Sequence, residues 1–423
     1  MKRVFTPTKK KTILILDDHQ PASQGYLEKL QAQGFKVELT AAFDSTLQFL
    51  KNTAVDLAIL DLCLPGINVV ELIKKIRSDS GLASKPIIAL SNPYLGALTQ
   101  AAVEAGATKS IARVDITPER LLELVRELGV SASPGGRSAV GALEGANQEK
   151  LSSKLLVNKS QMLAKLRASY QNFTRTERED LRRTALLQMH RQLRLLAGSA
   201  KMLALRKIVQ LSTALEALFV ELYAEPERIT ASVVRTMAYS IDGLAPLLDC
   251  PANPQDEVIP SSKILVVDDE VIARQLICSA VGNAGLDAVG LDDPLAAQRL
   301  LKRERFDLIF LDVEMPGLTG LDLCVKIRAM KSNRSTPIVF VTSHSDFGSR
   351  AQSALSGGND FVAKPFLLVE VALKALTWLF KDCAQPSPTA SMRQSVVAVA
   401  GGQKPQRAKP HGSVKLPRIS AVT

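Results

Sequence analysis

The chain is poor in the residues that cross-link small folds or read nucleic acid. Its five cysteines, Cys63, Cys250, Cys278, Cys324 and Cys383, are scattered without a CxxC pair, so neither a disulfide framework nor a thiolate metal site is encoded. Aromatic residues make up 4% of the chain, with a single Trp, and no helix-turn-helix, zinc-finger or aromatic RNA-binding pattern is present. No stretch approaches the roughly 20 apolar residues a membrane helix needs. The opening "MKRVFTPTKKK" leads only to "ILIL" and two aspartates, which is not the pattern of a cleaved leader. These absences point to a reducing cytoplasm, with neither a membrane nor a nucleic acid as partner.

What is present is organised. A length of 423 residues accommodates about three domains. The net charge of +11 resides in the ends: residues 1–11 hold five Lys/Arg and no acid, and residues 383–423 hold six and no acid. They read as a basic arm and a basic, disordered tail that keep the protein solvated. Residues 131–149 and 250–262 are rich in Pro, Gly, Ser and Ala and read as linkers. They separate folded stretches at 12–130, 150–249 and 263–382.

The outer stretches repeat one plan. "ILILDD" ends at Asp18 and "ILVVDD" at Asp269; "LAILD" ends at Asp61 and "LIFLD" at Asp312; "PIIALS" ends at Ser91 and "PIVFVT" at Thr342. In both copies 43 residues separate the first two landmarks and 30 the next two, which marks an internal duplication. Short continuous apolar runs alternate with amphipathic segments such as "VVELIKKIRSDS" and "LDLCVKIRAM". That alternation predicts doubly wound parallel sheets covered on both faces, an α/β fold of flavodoxin-like type. The polar strand ends then meet in one crevice at the carboxyl edge.

Three carboxylates in one crevice repel one another and call for a cation. Hard oxygen ligands with room for water suit Mg2+. In the second copy "FVAKPF" adds Lys364, an ammonium placed to neutralise a phosphate oxygen while the Thr342 hydroxyl donates to another. Asp312 is then a nucleophile toward a phosphoryl group.

Residues 263–382 resemble a response-regulator receiver domain, through "VVDDE", "DVEMPGLTG", "VTS" and "AKPF" in order and spacing. The resemblance implies Asp312 as phosphoacceptor, Mg2+ held by Asp268, Asp269 and Asp312, and Thr342 and Lys364 on the phosphate. It also implies a cis Lys364–Pro365 peptide, with Phe361 at the aromatic switch position. Residues 12–130 resemble the same family through Asp17, Asp18, Asp61 and Ser91, implying a second acceptor at Asp61 and metal ligands in Asp17, Asp18 and Asp61. This copy departs from the pattern in four places. Arg113 takes the lysine position, Val114 the proline, Ser110 the aromatic, and Val69 stands where the other copy has Gly320. Glu314 and Cys63, two residues past each acceptor, and His344 and Pro93, two past each hydroxyl, occupy places that influence the attacking water in that family.

Residues 150–249 read as about four helices in an antiparallel bundle. "TERE" from Thr176 to Glu179 has capping-box spacing, Pro226 suits an early helical position, and Leu195, Leu196, Ala200, Leu203, Leu211, Leu215, Leu218 and Leu222 recur at helical period. "RLLAGSAKMLAL" resembles the active helix of a histidine phosphotransfer (HPt) domain, in which the phosphoryl-carrying histidine precedes a glycine by four residues. Counting back from Gly198 reaches Arg194, which carries no phosphoryl group. His190 lies one turn earlier, with Arg194 where its own glycine should be. The expectation is a degenerate HPt-like bundle that keeps a face for docking a receiver.

The whole reads as a two-component phosphorelay response regulator, not an enzyme. It would accept a phosphoryl group from a sensor histidine kinase or a phosphotransfer protein and signal by protein contact. Two other classes remain: a non-catalytic scaffold of docking folds, and a Mg2+-dependent phosphohydrolase with an aspartyl nucleophile.

Overall fold

The computed structural model describes residues 10–18, 21–131, 144–249, 262–343 and 357–381; for 21–24 and 144–158 it describes the backbone alone. Residues 1–9 of the basic arm, most of both linkers, His344 and the basic tail lie outside the described residues.

The first sheet is built from β1 (Thr12–Leu16), β2 (Lys36–Thr40), β3 (Leu57–Asp61), β4 (Ile87–Ser91) and β5 (Lys109–Ala112). Its order is β2-β1-β3-β4-β5 and every pairing is parallel. Strands β1, β3 and β4 are buried along their whole length, as their unbroken apolar runs require when helices cover both faces. Helices α1 (Pro21–Ala32), α2 (Phe43–Asn52), α3 (Val69–Ser78), α4 (Gly96–Glu104) and α5 (Pro118–Glu127) supply that cover. Caps set two of the helix starts: Asn68 accepts from the Glu71 amide, and Thr117, followed by Pro118, accepts from the Arg120 amide.

Four helices follow: α6 (Glu144–Arg175), α7 (Glu179–Met202), α8 (Arg206–Ala224) and α9 (Ala231–Asp249). Helix α6 starts inside the stretch read as a linker, because residues 144–149 are mostly good helix formers that continue the amphipathic run. The capping box read at Thr176 does not form. Arg178 takes the N-cap of α7 and the Thr176 hydroxyl accepts from the Arg178 amide instead. Pro226 opens a single 3₁₀ turn over Pro226–Arg228. Leu195, expected in the core, is 36% exposed, because the buried stripe of α7 runs through Met189, Leu193, Leu196 and Ala200 at helical spacing.

The second sheet comprises β6 (Lys263–Val267), β7 (Asp287–Leu291), β8 (Leu308–Asp312), β9 (Ile338–Thr342) and β10 (Asp360–Ala363). Its order, β10-β9-β8-β6-β7, is that of the first sheet, again all parallel. Helices α10 (Val271–Asn283), α11 (Pro294–Arg303), α12 (Gly320–Arg328) and α13 (Leu368–Lys381) flank it. Two flavodoxin-like α/β units thus stand on either side of a helical region, as the alternation of apolar runs predicts.

One apolar cluster runs through all three parts, from Leu72 and Ile73 through Leu215 and Phe219 to Leu373 and Leu376. Each such side chain contributes about 1.5–3 kcal/mol when removed from water. Helix α13 packs on α8, α9 and α10, and its Lys374 is buried in a 2.7 Å ion pair with Asp360, which Arg235 of α9 also approaches at 3.2 Å. Removing one partner of such a pair strands a buried charge. Lys374→Met is therefore expected to lower unfolding stability by about 3–5 kcal/mol in urea titrations, with Asp360→Asn restoring part of the loss in the double variant. An unchanged urea midpoint for Lys374→Met would contradict this role.

Candidate functional sites at two sheet edges

Because all strands in each sheet run the same way, their carboxyl ends converge on one edge. At the second sheet Asp268 and Asp269 follow β6, Asp312 closes β8, Thr342 closes β9 and Lys364 follows β10. Register fixes them further: Asp312 pairs with Val341, Ala363 with Thr342, and the Lys364 amide donates to the Thr342 carbonyl at 2.8 Å. The Lys364–Pro365 peptide is cis. Lys364 Nζ lies 3.1 Å from Asp268, 3.5 Å from Asp312 and 3.2 Å from Glu270.

Asp268, Asp269 and Asp312 bring carboxylate oxygens within 4.8 Å of one another, the only such group of three metal-ligating residues among those described. Asp268 and Asp312 are buried and Asp269 is exposed, which leaves one side of the trio open to water. Burial, with the Asp268 charge beside it, pushes the Asp312 carboxyl up to about 6 while Lys364 opposes the rise. Three hard oxygen donors with an open side fit Mg2+, which keeps several waters.

Gly320 shapes this edge. A Cβ there would stand 1.9 Å from the Asp312 carbonyl oxygen, and the Gly320 amide donates to the Val313 carbonyl at 3.0 Å. In the first copy Val69 begins α3, and its amide turns to the Ile67 carbonyl at 3.0 Å. A valine cannot follow the glycine's path.

The first sheet gathers its matching residues differently. Asp17 and Asp18 follow β1, Asp61 closes β3, Ser91 closes β4 and Arg113 follows β5. Asp17, Asp61 and Ser91 are buried. A residue of the bundle enters this pocket: Arg194 of α7 has its Nη2 2.5 Å from Asp61 and 3.2 Å from Asp17. Its Nε lies 3.6 Å from Asp18 and 3.6 Å from Glu216 of α8. Arg113 Nη1 lies 3.3 Å from Asp17 and also bonds Asp61. The other Asp61 oxygen accepts from the Cys63 amide at 2.9 Å.

Burial disfavours charge on Arg194, but Asp61, Asp17, Glu216 and Asp18 hold its guanidinium well above the ordinary range. Burial pushes the Asp61 carboxyl up to about 7 against the pull of Arg194, and burial likewise raises Asp18 to about 6 against the same pull. His190 is buried too, its Nε2 3.5 Å from Glu216, one turn from the pocket. Lys109 turns away to Glu127 at 2.6 Å.

Sequence reading placed Arg194 on a docking face and Arg113 at the lysine position, but did not join them. The available signal was that both departures from the family patterns are arginines, in a pocket with three acids. Glu216 and the seam between α9 and β10 carried no signal. At that seam Arg235 stacks 3.9 Å from the centre of the Phe361 ring, and the Ser232 hydroxyl donates to the Phe361 carbonyl at 3.2 Å.

Two copies of a flavodoxin-like α/β unit, each with acids at the carboxyl edge of its sheet, define a class of signalling module. The sequence pattern of the response regulator receiver domain matches residues 13–126 and 264–375, over half of the chain, and the chain belongs to that family.

Similar curated proteins include the probable transcriptional regulatory protein TcrX of Mycobacterium tuberculosis, 32% identical over 111 residues, covering 26% of this chain and 47% of that protein. Sensor protein GacS of Pseudomonas syringae is 30% identical over 129 residues, 30% of this chain and 14% of that protein. The chain thus spans about half the length of TcrX and far less of GacS. Among solved structures, the receiver domain of a Pseudomonas aeruginosa sensor histidine kinase, crystallised with magnesium in its active-site cleft, is 29% identical. It covers 28% of this chain and 98% of that one, with a TM-score of 0.27. Vibrio cholerae chemotaxis protein CheY4 gives the same identity, coverage and TM-score.

Receiver domains are signalling phosphoacceptors of two-component systems that meet sensor kinases or phosphotransfer proteins. Among the described residues no helix is long and apolar enough to cross a membrane.

Gly320→Ala is expected to force the β8–α12 loop off the Asp312 backbone and cost about 3 kcal/mol. Val69→Ala, at the matching point of the first copy, should cost about 1 kcal/mol. Equal urea midpoints for the two variants would contradict this account of the loop.

Proposed function

We propose that this protein is a phosphorelay response regulator in which Asp312 of the second receiver accepts the phosphoryl group, with Mg2+ held by Asp268, Asp269 and Asp312. The observation that carries this reading is the open trio of carboxylates with Lys364 at its rim. When bound, Mg2+ would screen the charge of Asp312 and of the incoming phosphoryl group. An Asp312 oxygen bonds to phosphorus as the phosphorus–nitrogen bond of a donor phosphohistidine breaks, and the donor imidazole leaves with the bonding pair. Lys364 Nζ, already placed between Asp268 and Asp312, neutralises one phosphoryl oxygen, and the Thr342 hydroxyl donates to another.

Output by protein contact is supported by what lies behind the site. Thr342 is in register with Ala363, and Val341 with Val362, so a change at Thr342 is passed along β10 to Phe361. That ring lies under Arg235 of α9. The equilibrium between two positions of this seam is what the aspartyl phosphate would bias.

The helical region is read as an HPt-like bundle that has kept its docking face and lost its carrier. The residue four positions before Gly198 is Arg194, and it meets Asp61 at 2.5 Å, the encounter a phosphohistidine would need with an acceptor. The docking reading thus belongs to the first half of the chain and the chemistry to the second.

Incubation of the full chain with acetyl phosphate and Mg2+ should add one phosphoryl group, read by intact mass. Asp312→Asn should abolish the addition, as should EDTA. Uptake by Asp312→Asn equal to wild type would remove Asp312 from this role.

A further inference from the structure

The acidic pocket of the first receiver does not fit the divalent cation that its three aspartates suggest. Mg2+ demands six oxygens in near-octahedral order and retains several of them as water. In this pocket guanidinium nitrogens lie between the carboxylates instead. Arg194 spans Asp17, Asp18 and Asp61, and among the described residues no trio forms there that could hold a metal.

The group at the lysine position is not what makes the difference. Lys364 approaches Asp268 and Asp312 in the second receiver in the way that Arg113 approaches Asp17 and Asp61 in the first. The added element is Arg194, and it arrives from another part of the chain.

We infer that Arg194 is a tethered cation that takes the place of the metal, so that the first receiver is a metal-free docking partner of the bundle and Asp61 is not a phosphoacceptor. Charge supports the exchange: a guanidinium supplies a fixed positive charge and five donors, which satisfy carboxylates without a hydration shell. Both Asp61 oxygens are engaged, one by the Cys63 amide and the other by the two guanidinium groups. Neither has an open line of approach for phosphorus.

The seat is built around this contact. Lys201, two turns along α7, donates to the carbonyls of Ile116 at 2.6 Å and Arg113 at 3.3 Å. Buried Asn92, next to Ser91, donates to the Thr213 carbonyl of α8 at 3.0 Å. Gly66 in the β3–α3 loop leaves room for Tyr223, whose hydroxyl would stand 3.1 Å from any Cβ there. A donor histidine seeking Asp61 would have to displace α7 from its Lys201 bonds and α8 from Asn92 and the Gly66 turn.

The test counts metal sites on the full chain, with Mn2+ as probe and the loss of free Mn2+ paramagnetic resonance as readout. Wild type should bind one Mn2+ per chain, Asp312→Asn should bind none, and Asp61→Asn should still bind one. Arg194→Ala, which empties the space between the aspartates, should bind two. Two sites in wild type, a site in Asp312→Asn that a further Asp61→Asn removes, or one in a folded Arg194→Ala would each overturn the inference. If Arg194→Ala fails to fold, the wild-type, Asp312→Asn and Asp61→Asn counts decide. The counts are independent of phosphoryl uptake, so loss of Asp312 as phosphoacceptor would leave this inference standing.

Discussion

Everything in this protein depends on how a cluster of buried carboxylates is neutralised. Parallel strands deliver their polar ends to one edge whatever the sequence does elsewhere, so each sheet gathers three aspartates, two of them buried, in one crevice. Unpaired charges there are too costly to keep. The second receiver relieves the cost with Lys364 and an open side fit for a hydrated cation. The first relieves it with Arg113 and with Arg194 from the bundle.

That difference turns one duplicated fold into two kinds of object. On the proposed reading, a site neutralised by an exchangeable ion stays open to a phosphoryl group and to the changes it would bring. A site neutralised by a buried side chain becomes an interface, and its charges now tie the receiver to its neighbour. The continuous apolar cluster through both receivers and the bundle suits this arrangement, because the ionic lock is one feature of a packed seam. At the far side of the bundle, α9 meets the second receiver through Arg235, Ser232 and Thr236 against Phe361, Asp360 and Glu370. The bundle thus lies between a closed pocket and an open one.

Much of this was legible in the sequence. Equal spacings between Asp18, Asp61 and Ser91 and between Asp269, Asp312 and Thr342 carried the duplication, and apolar runs carried the parallel sheets. Gly198 pointed to Arg194. What local patterns could not carry is which receiver the α7 face would meet, since that is a long-range contact between residues 133 positions apart. Helix ends were also misjudged where propensity competed with composition. Residues 144–149 look like linker by their glycine and alanine yet continue α6, and Thr176 satisfied a capping pattern while the chain began α7 at Glu179. Leu195 fell off the buried stripe because apolar identity alone does not fix the helical phase.

The most direct measurement is an anomalous difference map from crystals of the full chain soaked in Mn2+. The account predicts a single strong peak among Asp268, Asp269 and Asp312, with guanidinium density between Asp17, Asp18 and Asp61. A peak of comparable height beside Asp61, with Arg194 turned away, would contradict it.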